Sequence, residues 1–376
     1  MHVVSSLGIG GAEQVAINLA TEHAKAASVM IVSLVKLSKD SAEVGELNRR
    51  NLRENHVKVA ELNSWWIKTS PLQCLVPLLR IIRKFRPSII HSHTDIPDLC
   101  VSLARRLVAF SIARTIHNTA LWPTRPWSGL ICERGFRDDL VVGINEPCLA
   151  AYRALRRRCD LSESRFQTLI KNGIWPVPDD QRFSRARLIE FAGLDSSKLL
   201  MGFVGRLEEQ KGLDILLGAL ARLPASYSGR WQLAVIGDGR LRSDLEAFAK
   251  SKRLPVRFLG AVPAASRLLS GFDLLVAPSR HEGAPLVGLE GQFVNVPVLI
   301  SDVPGLRDTF PPQWPLTFEP ENTSHLCAKI VEFSEKPWSK ELVNKEIGSW
   351  KDQFHAKIMA EKYMSAYHEY LGLTAK

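Results

Sequence analysis

The 376-residue chain predicts an α/β protein made of two tandem doubly wound, Rossmann-like domains facing a cleft. Three observations carry that reading. Short apolar runs alternate with helical patterns through both halves, which suits parallel sheets covered by helices on both faces. The alternation breaks at 175–197, where Pro176, Pro178 and several charges interrupt it, and then restarts. The length leaves room for two domains with separate cores.

In the first half the apolar runs place strands at 3–6, 29–34, 57–62, 88–92, 112–117, 140–143 and 166–171, with helices at 12–25, 72–85 and 97–108. In the second half strands are expected at 199–204, 232–236, 256–259, 274–277 and 298–301, again with helices between them. Helical segments close the chain, the last at 354–371. The domains are therefore set at 1–174 and 175–353, with 175–197 as their connection and a ligand expected in the cleft between them.

Composition narrows the class. Hydrophobic residues make up 45% of the chain and charged residues 23%, ordinary for a soluble globular protein. No run of eighteen apolar residues offers a membrane span, and the first residues lack the basic region and long apolar core of a secretory signal. Six cysteines without C-x-x-C spacing suggest reduced thiols and a cytoplasmic location. Net charge is +10, and residues 1–172 hold most of it, with 24 Lys and Arg against 15 Asp and Glu. Part lies in 78–86, which includes Arg80, Arg83, Lys84 and Arg86 and follows Trp65-Trp66-Ile67; part lies in 153–158. Such segments suit an anionic membrane surface or an acidic partner, and a solvated helix face explains them equally well. Nucleic acid is not an expected partner, because no recognised motif accompanies the charge.

The stretch His281-Glu282-Gly283-Ala284-Pro285-Leu286-Val287-Gly288-Leu289-Glu290-Gly291 follows the strand expected at 274–277. It sets two carboxylates eight residues apart, one in a loop at a strand's carboxyl end and one two turns further on, with a helix amino terminus between them. In Val204-Gly205-Arg206-Leu207-Glu208-Glu209-Gln210-Lys211-Gly212, Arg206 ends a strand and Lys211 opens the next helix, so both cations can converge on a diphosphate. Gly237-Asp238-Gly239 ends another strand bordering the same place. Near the amino terminus, Gly8-Ile9-Gly10-Gly11-Ala12-Glu13 joins a strand to a helix, either as a phosphate loop or as a tight turn. It lacks the third glycine of a dinucleotide fingerprint. His91, His93 and His117 fall at strand ends; H-x-H could suggest a metal, but no further ligands stand nearby and no D-x-D pair occurs, so none is expected.

Taken in this order and spacing, these motifs resemble the retaining glycosyltransferases of family 4, which have the GT-B fold. The resemblance runs through Gly10-Gly11-Ala12-Glu13, Ile116-His117-Asn118, Lys171-Asn172-Gly173-Ile174, the segments 204–212 and 237–241, the paired Glu282 and Glu290, and Pro297-Val298-Leu299-Ile300-Ser301-Asp302-Val303-Pro304-Gly305. It implies that Arg206 and Lys211 bind and stabilise the diphosphate of a nucleotide sugar, together with Gly205 and Gly237, and that Glu290 binds the ribose. It also implies that Glu282 and the backbone of Gly283, Ala284, Pro285 and Leu286 hold the donor sugar, that His117 reaches it from the acceptor domain, and that Gly10 and Gly11 lie near the donor phosphate or the acceptor. The segment 354–371 would cross back onto the first domain. Ala284, Trp175 and Gly291 depart from the residues usual in the family at those places.

The activity implied is metal-independent transfer of a hexose or N-acetylhexosamine, without a cofactor, to a lipid-linked glycan acceptor, at the inner face of a membrane that the basic first domain would contact. An epimerase or phosphorylase of the same architecture, or a non-catalytic partner protein, would use similar motifs.

Overall fold

The computed structural model describes residues 1–8, 10–37, 42–64, 70–122 and 126–372. Trp65, Trp66 and Ile67, singled out above, lie outside them. The chain divides into two compact units, Met1–Ile174 with Phe354–Lys376, and Trp175–Gln353.

The first unit is built on seven parallel strands: β1 (His2–Val4), β2 (Met30–Val35), β3 (Lys58–Ser64), β4 (Ile89–His93), β5 (Ser111–Ile116), β6 (Leu140–Gly143) and β7 (Gln167–Leu169). Their order is β3-β2-β1-β4-β5-β6-β7. The second unit carries β8 (Leu199–Val204), β9 (Trp231–Ile236), β10 (Val256–Gly260), β11 (Leu274–Ala277), β12 (Val298–Ser301) and β13 (Thr317–Phe318) in the order β10-β9-β8-β11-β12-β13. Both sheets run outward from their first strand and then reverse, the doubly wound Rossmann order, so each has a switch point: β1 beside β4, and β8 beside β11. Strands such as Leu274-Leu275-Val276-Ala277 are buried along their whole length, because helices cover both faces of the sheet.

Two elements depart from the sequence reading. The connection expected at 175–197 contains a two-turn helix, Arg185–Ala192, capped by the Ser184 hydroxyl and stopped at Gly193, whose φ of 60° is left-handed. Leu188 from this helix joins the core of the second unit, so the segment is packed structure that the prolines around it disguised. Strand β13 was not foreseen, since two residues between turns leave no periodicity to read.

The cluster at 153–158 is solvated only in part, with Arg157 and Arg158 exposed. Arg156 is buried and donates to Glu133 and to the Ser162 carbonyl, while Arg153 pairs with Glu146 and Arg157 with Glu163. In the helix Ser70–Phe85, by contrast, Leu72, Val76, Arg80, Arg83 and Lys84 are exposed. The closing helix, Ala356–Tyr370, belongs to the first unit and packs on the helix Gly11–His23. There Gly173 leaves no room for a side chain, since a Cβ would lie 2.8 Å from the His355 carbonyl oxygen.

Candidate functional site

In the second unit the loops after β8 and β11 meet at the switch point. Gly212, at φ 66°, lets the turn after β8 run against β11; a Cβ there would stand 2.0 Å from the Pro278 carbonyl oxygen. Arg280 ties the loops together by donating its backbone N–H to Gln210 O, its guanidinium to Glu209 O, and a fork to both carboxylate oxygens of Asp214. Gln210 returns a hydrogen bond from its amide to His281 O at 3.0 Å.

This frame holds Lys211 Nζ 2.5 Å from Glu282 Oε1, and the Ser279 hydroxyl donates to the same oxygen at 2.7 Å. Glu282 is buried and Lys211 half-buried, so their attraction is screened less than that of a surface pair. Behind the loop, Ser301 Oγ donates to Ser279 O at 2.5 Å, and a Cβ on Gly305 would lie 2.2 Å from Glu282 O. Only glycine permits this contact at 305.

Arg206 lies two residues past the end of β8, exposed, and donates to Gln210 Oε1 at 3.3 Å. The two cations expected to share one anion thus hold different partners, Lys211 an acid and Arg206 a neutral amide. Gly237 has a φ of 136°, and a Cβ on it would fall 1.9 Å from Gly205 O, so the loops after β8 and β9 touch backbone to backbone.

The helix Leu286–Phe293 opens at Pro285, which provides no side-chain cap, and carries Glu290 on its second turn. Burial pushes the Glu290 carboxyl up to about 7, and among the described residues no hydrogen-bond donor or cation pairs with it. A carboxylate desolvated in this way is costly unless a bound group compensates it. On the other face of the helix, Gly291 sits against β12, where a Cβ would meet Val298 Cγ2 at 2.6 Å; the family's alanine at this place would need that wall to move.

In the first unit the residues at the switch point are histidines. Parallel pairing sets His2 of β1 beside His91 of β4, while His93 stands opposite Thr115 of β5, two residues before His117. His93 lies 3.2 Å from both His2 and His117, nitrogen to nitrogen. His91 meets the Tyr367 hydroxyl at 2.6 Å and the Thr115 hydroxyl at 2.7 Å. Burial holds all of these rings below the ordinary imidazole pKa, His117 at about 3, so they are neutral near pH 7. His2 was missed from sequence because it lies 89 residues from His91, and only strand pairing brings it near. Ring nitrogens of His2, His91 and His93 come within 4.8 Å of one another, close enough to share a metal ion. Both nitrogens of His91 and of His93 are nevertheless taken by hydrogen bonds.

Gly10 is the N-cap of the helix Gly11–His23, with Glu13 in its first turn. Sequence reasoning brought forward Arg206, Lys211, Glu282, Glu290 and their glycines, and it passed over Ser279, Arg280 and Ser301. Arg280, immediately before His281-Glu282, was the legible signal among these.

Residues 9–165 match the family described as Glycosyltransferase Family 4, and residues 198–336 match Glycosyl transferases group 1. The chain is 28% identical over 312 residues to EpsF of Bacillus subtilis, described as a glycosyltransferase, covering 80% of this chain and 78% of that one. It is 26% identical over 318 residues to the O-antigen biosynthesis glycosyltransferase WclY of Escherichia coli, covering 80% and 84%. The fold superposes on Anabaena HepE in complex with UDP and glucose with a TM-score of 0.80 at 15% identity, covering 98% of each chain. The chain belongs to glycosyltransferase family 4, with the GT-B architecture of two Rossmann-like domains, and is a glycosyltransferase.

Proposed function

We propose that this enzyme moves a hexose or N-acetylhexosamine from a nucleoside diphosphate to a glycan acceptor carried on a lipid, with retention at the anomeric carbon and without a metal ion. The observation that carries the donor reading is the half-buried Glu290 carboxyl, desolvated and without a partner among the described residues, on the helix that follows the loop holding Glu282. Ribose hydroxyls donating to Glu290 would compensate its burial. Arg206 gives up only a neutral amide to meet a phosphate, and Lys211 trades or shares its carboxylate. Two cations on the leaving diphosphate supply the electrostatic term that dominates such transfers, and they replace the divalent ion a D-x-D pair would hold. No carboxylate is assigned to attack the anomeric carbon, so front-face attack, with the leaving phosphate taking the acceptor proton, is the proposed route.

The relative WclY, named for O-antigen biosynthesis, supports a surface polysaccharide as acceptor. Docking on the inner face of an anionic membrane rests on the helix Ser70–Phe85, where Leu72 and Val76 are exposed one turn apart and Arg80, Arg83 and Lys84 continue toward the carboxyl end. Among the described residues, no helix is long and apolar enough to cross a membrane. A thermal-shift screen of UDP-, GDP- and ADP-sugars tests the donor site. A ligand at a hundred times its Kd should add about 2.7 kcal/mol of stability, and no stabilisation by any of them would refute the donor reading.

A further inference from the structure

His93 is the middle of three neutral rings. Its Nδ1 lies 3.2 Å from His117 Nε2, and its Nε2 lies 3.2 Å from His2 Nδ1. A neutral imidazole has one N–H and one lone pair, so a ring bonded on both sides donates on one and accepts on the other. Only two orders satisfy both contacts. Either all three rings carry their proton on Nδ1, or all three carry it on Nε2. Neutral histidine in water prefers Nε2, and that order puts every ring in its preferred form.

The surrounding groups do not compete for these bonds. His91 is occupied by Tyr367 and Thr115, and His23 donates through Nε2 to the carbonyl of Ala360 at 3.1 Å. His117 Nδ1, the free end of the chain, has no protein partner among the described residues.

We propose that His93, backed by His2, is a positioning residue that holds His117 as its neutral Nε2–H tautomer, leaving Nδ1 as a fixed hydrogen-bond acceptor for a sugar hydroxyl. The inference rests on the reading above that His117 meets the transferred sugar, and it deepens that reading into a specificity device. A hydroxyl can donate to that lone pair, whereas a deoxy carbon or a methyl ether cannot, and a site built for the hydroxyl rejects analogues lacking it. With burial keeping the ring uncharged, His117 recognises substrate without serving as a proton reservoir.

Long-range 1H–15N NMR on the 15N-histidine-labelled full chain reads the tautomer directly. His117 is expected as pure Nε2–H from pH 6 to 8. In His93→Phe it becomes a tautomer mixture and kcat/KM falls about tenfold, the worth of one net hydrogen bond, while the Kd for UDP is unchanged. His93→Gln, whose amide can accept from one ring and donate to the other, recovers most of the activity and controls for folding. The proposal is overturned if His117 carries its proton on Nδ1, if His93→Phe leaves tautomer and kcat/KM as they were, or if the protein takes up stoichiometric Zn2+ that His2→Ala abolishes. The tautomer is measured without substrate, so failure of the transferase reading would leave that result standing.

Discussion

Lys211 Nζ and Glu282 Oε1 stand 2.5 Å apart, joining the turn after β8 to the loop after β11 at the switch point of the second sheet. The pair fixes both loops in the protein alone and holds the cation proposed to meet the donor diphosphate. It therefore has a structural and a functional part that mutation can separate. Lys211→Ala leaves Glu282 buried without its cation and should cost about 2–4 kcal/mol of stability, together with on the order of 10²-fold in turnover. Adding Glu282→Gln to Lys211→Met should restore most of the stability and none of the turnover. Chemical denaturation and steady-state kinetics on the same variants check both halves.

Glu290 makes stability depend on pH. Its carboxyl rises from 4.5 to about 7 in the fold, so between those values the native state keeps a proton that the unfolded chain has lost. The group costs nothing below pH 4.5, and its penalty grows through that window and is complete above pH 7. Glu290→Gln should therefore melt with the wild type at pH 4.5 and above it at pH 8, by about 1–3 kcal/mol. The same substitution should weaken nucleoside diphosphate binding at pH 8, by about 1.5–3 kcal/mol for a charged hydrogen bond. Thermal melts and calorimetric titration with UDP read the two effects.

Gly237→Ala should be among the most damaging single-methyl changes in the chain. Its φ of 136° suits no other residue, and the added carbon would overlap the Gly205 carbonyl oxygen. A loss of about 2 kcal/mol or more is expected, with weaker donor binding because Gly205 leads directly into Arg206. Circular dichroism melts with a UDP titration would check it.

Membrane docking through the helix Ser70–Phe85 should depend on salt and lipid charge, at about 1 kcal/mol per basic residue near the surface. In sedimentation with vesicles, the wild type should follow anionic but not neutral lipid. Changing Arg80, Arg83, Lys84 and Arg86 together to Gln should release it. Equal binding to both lipids would remove this helix as the docking surface.

Much of this architecture was legible in the sequence for a physical reason: parallel strands buried on both faces read as short apolar runs, and β6, β8, β11 and β12 begin and end where those runs do. The loops carrying Arg206, Lys211 and Glu282, and the helix carrying Glu290, were legible because glycines and charges cluster at strand ends. What stayed hidden depends on tertiary partners. Nothing in the sequence says that Lys211 neutralises Glu282, that Arg156 is buried against Glu133, or that His2 completes a chain with His93 and His117, since each contact spans elements that only folding brings together.

The central claim, that the second unit's cations stabilise a departing nucleoside diphosphate, is tested most directly at Arg206, the one of the two that holds only a neutral partner among the described residues. The measurement is single-turnover transfer from the nucleotide sugar chosen by the stabilisation screen, in Arg206→Ala against wild type, with EDTA present throughout. The account predicts a rate lower by on the order of 10²-fold in a protein that melts normally, and no effect of EDTA on the wild type. A wild-type rate in Arg206→Ala, or a wild-type enzyme silenced by EDTA and revived by a divalent ion, would contradict it.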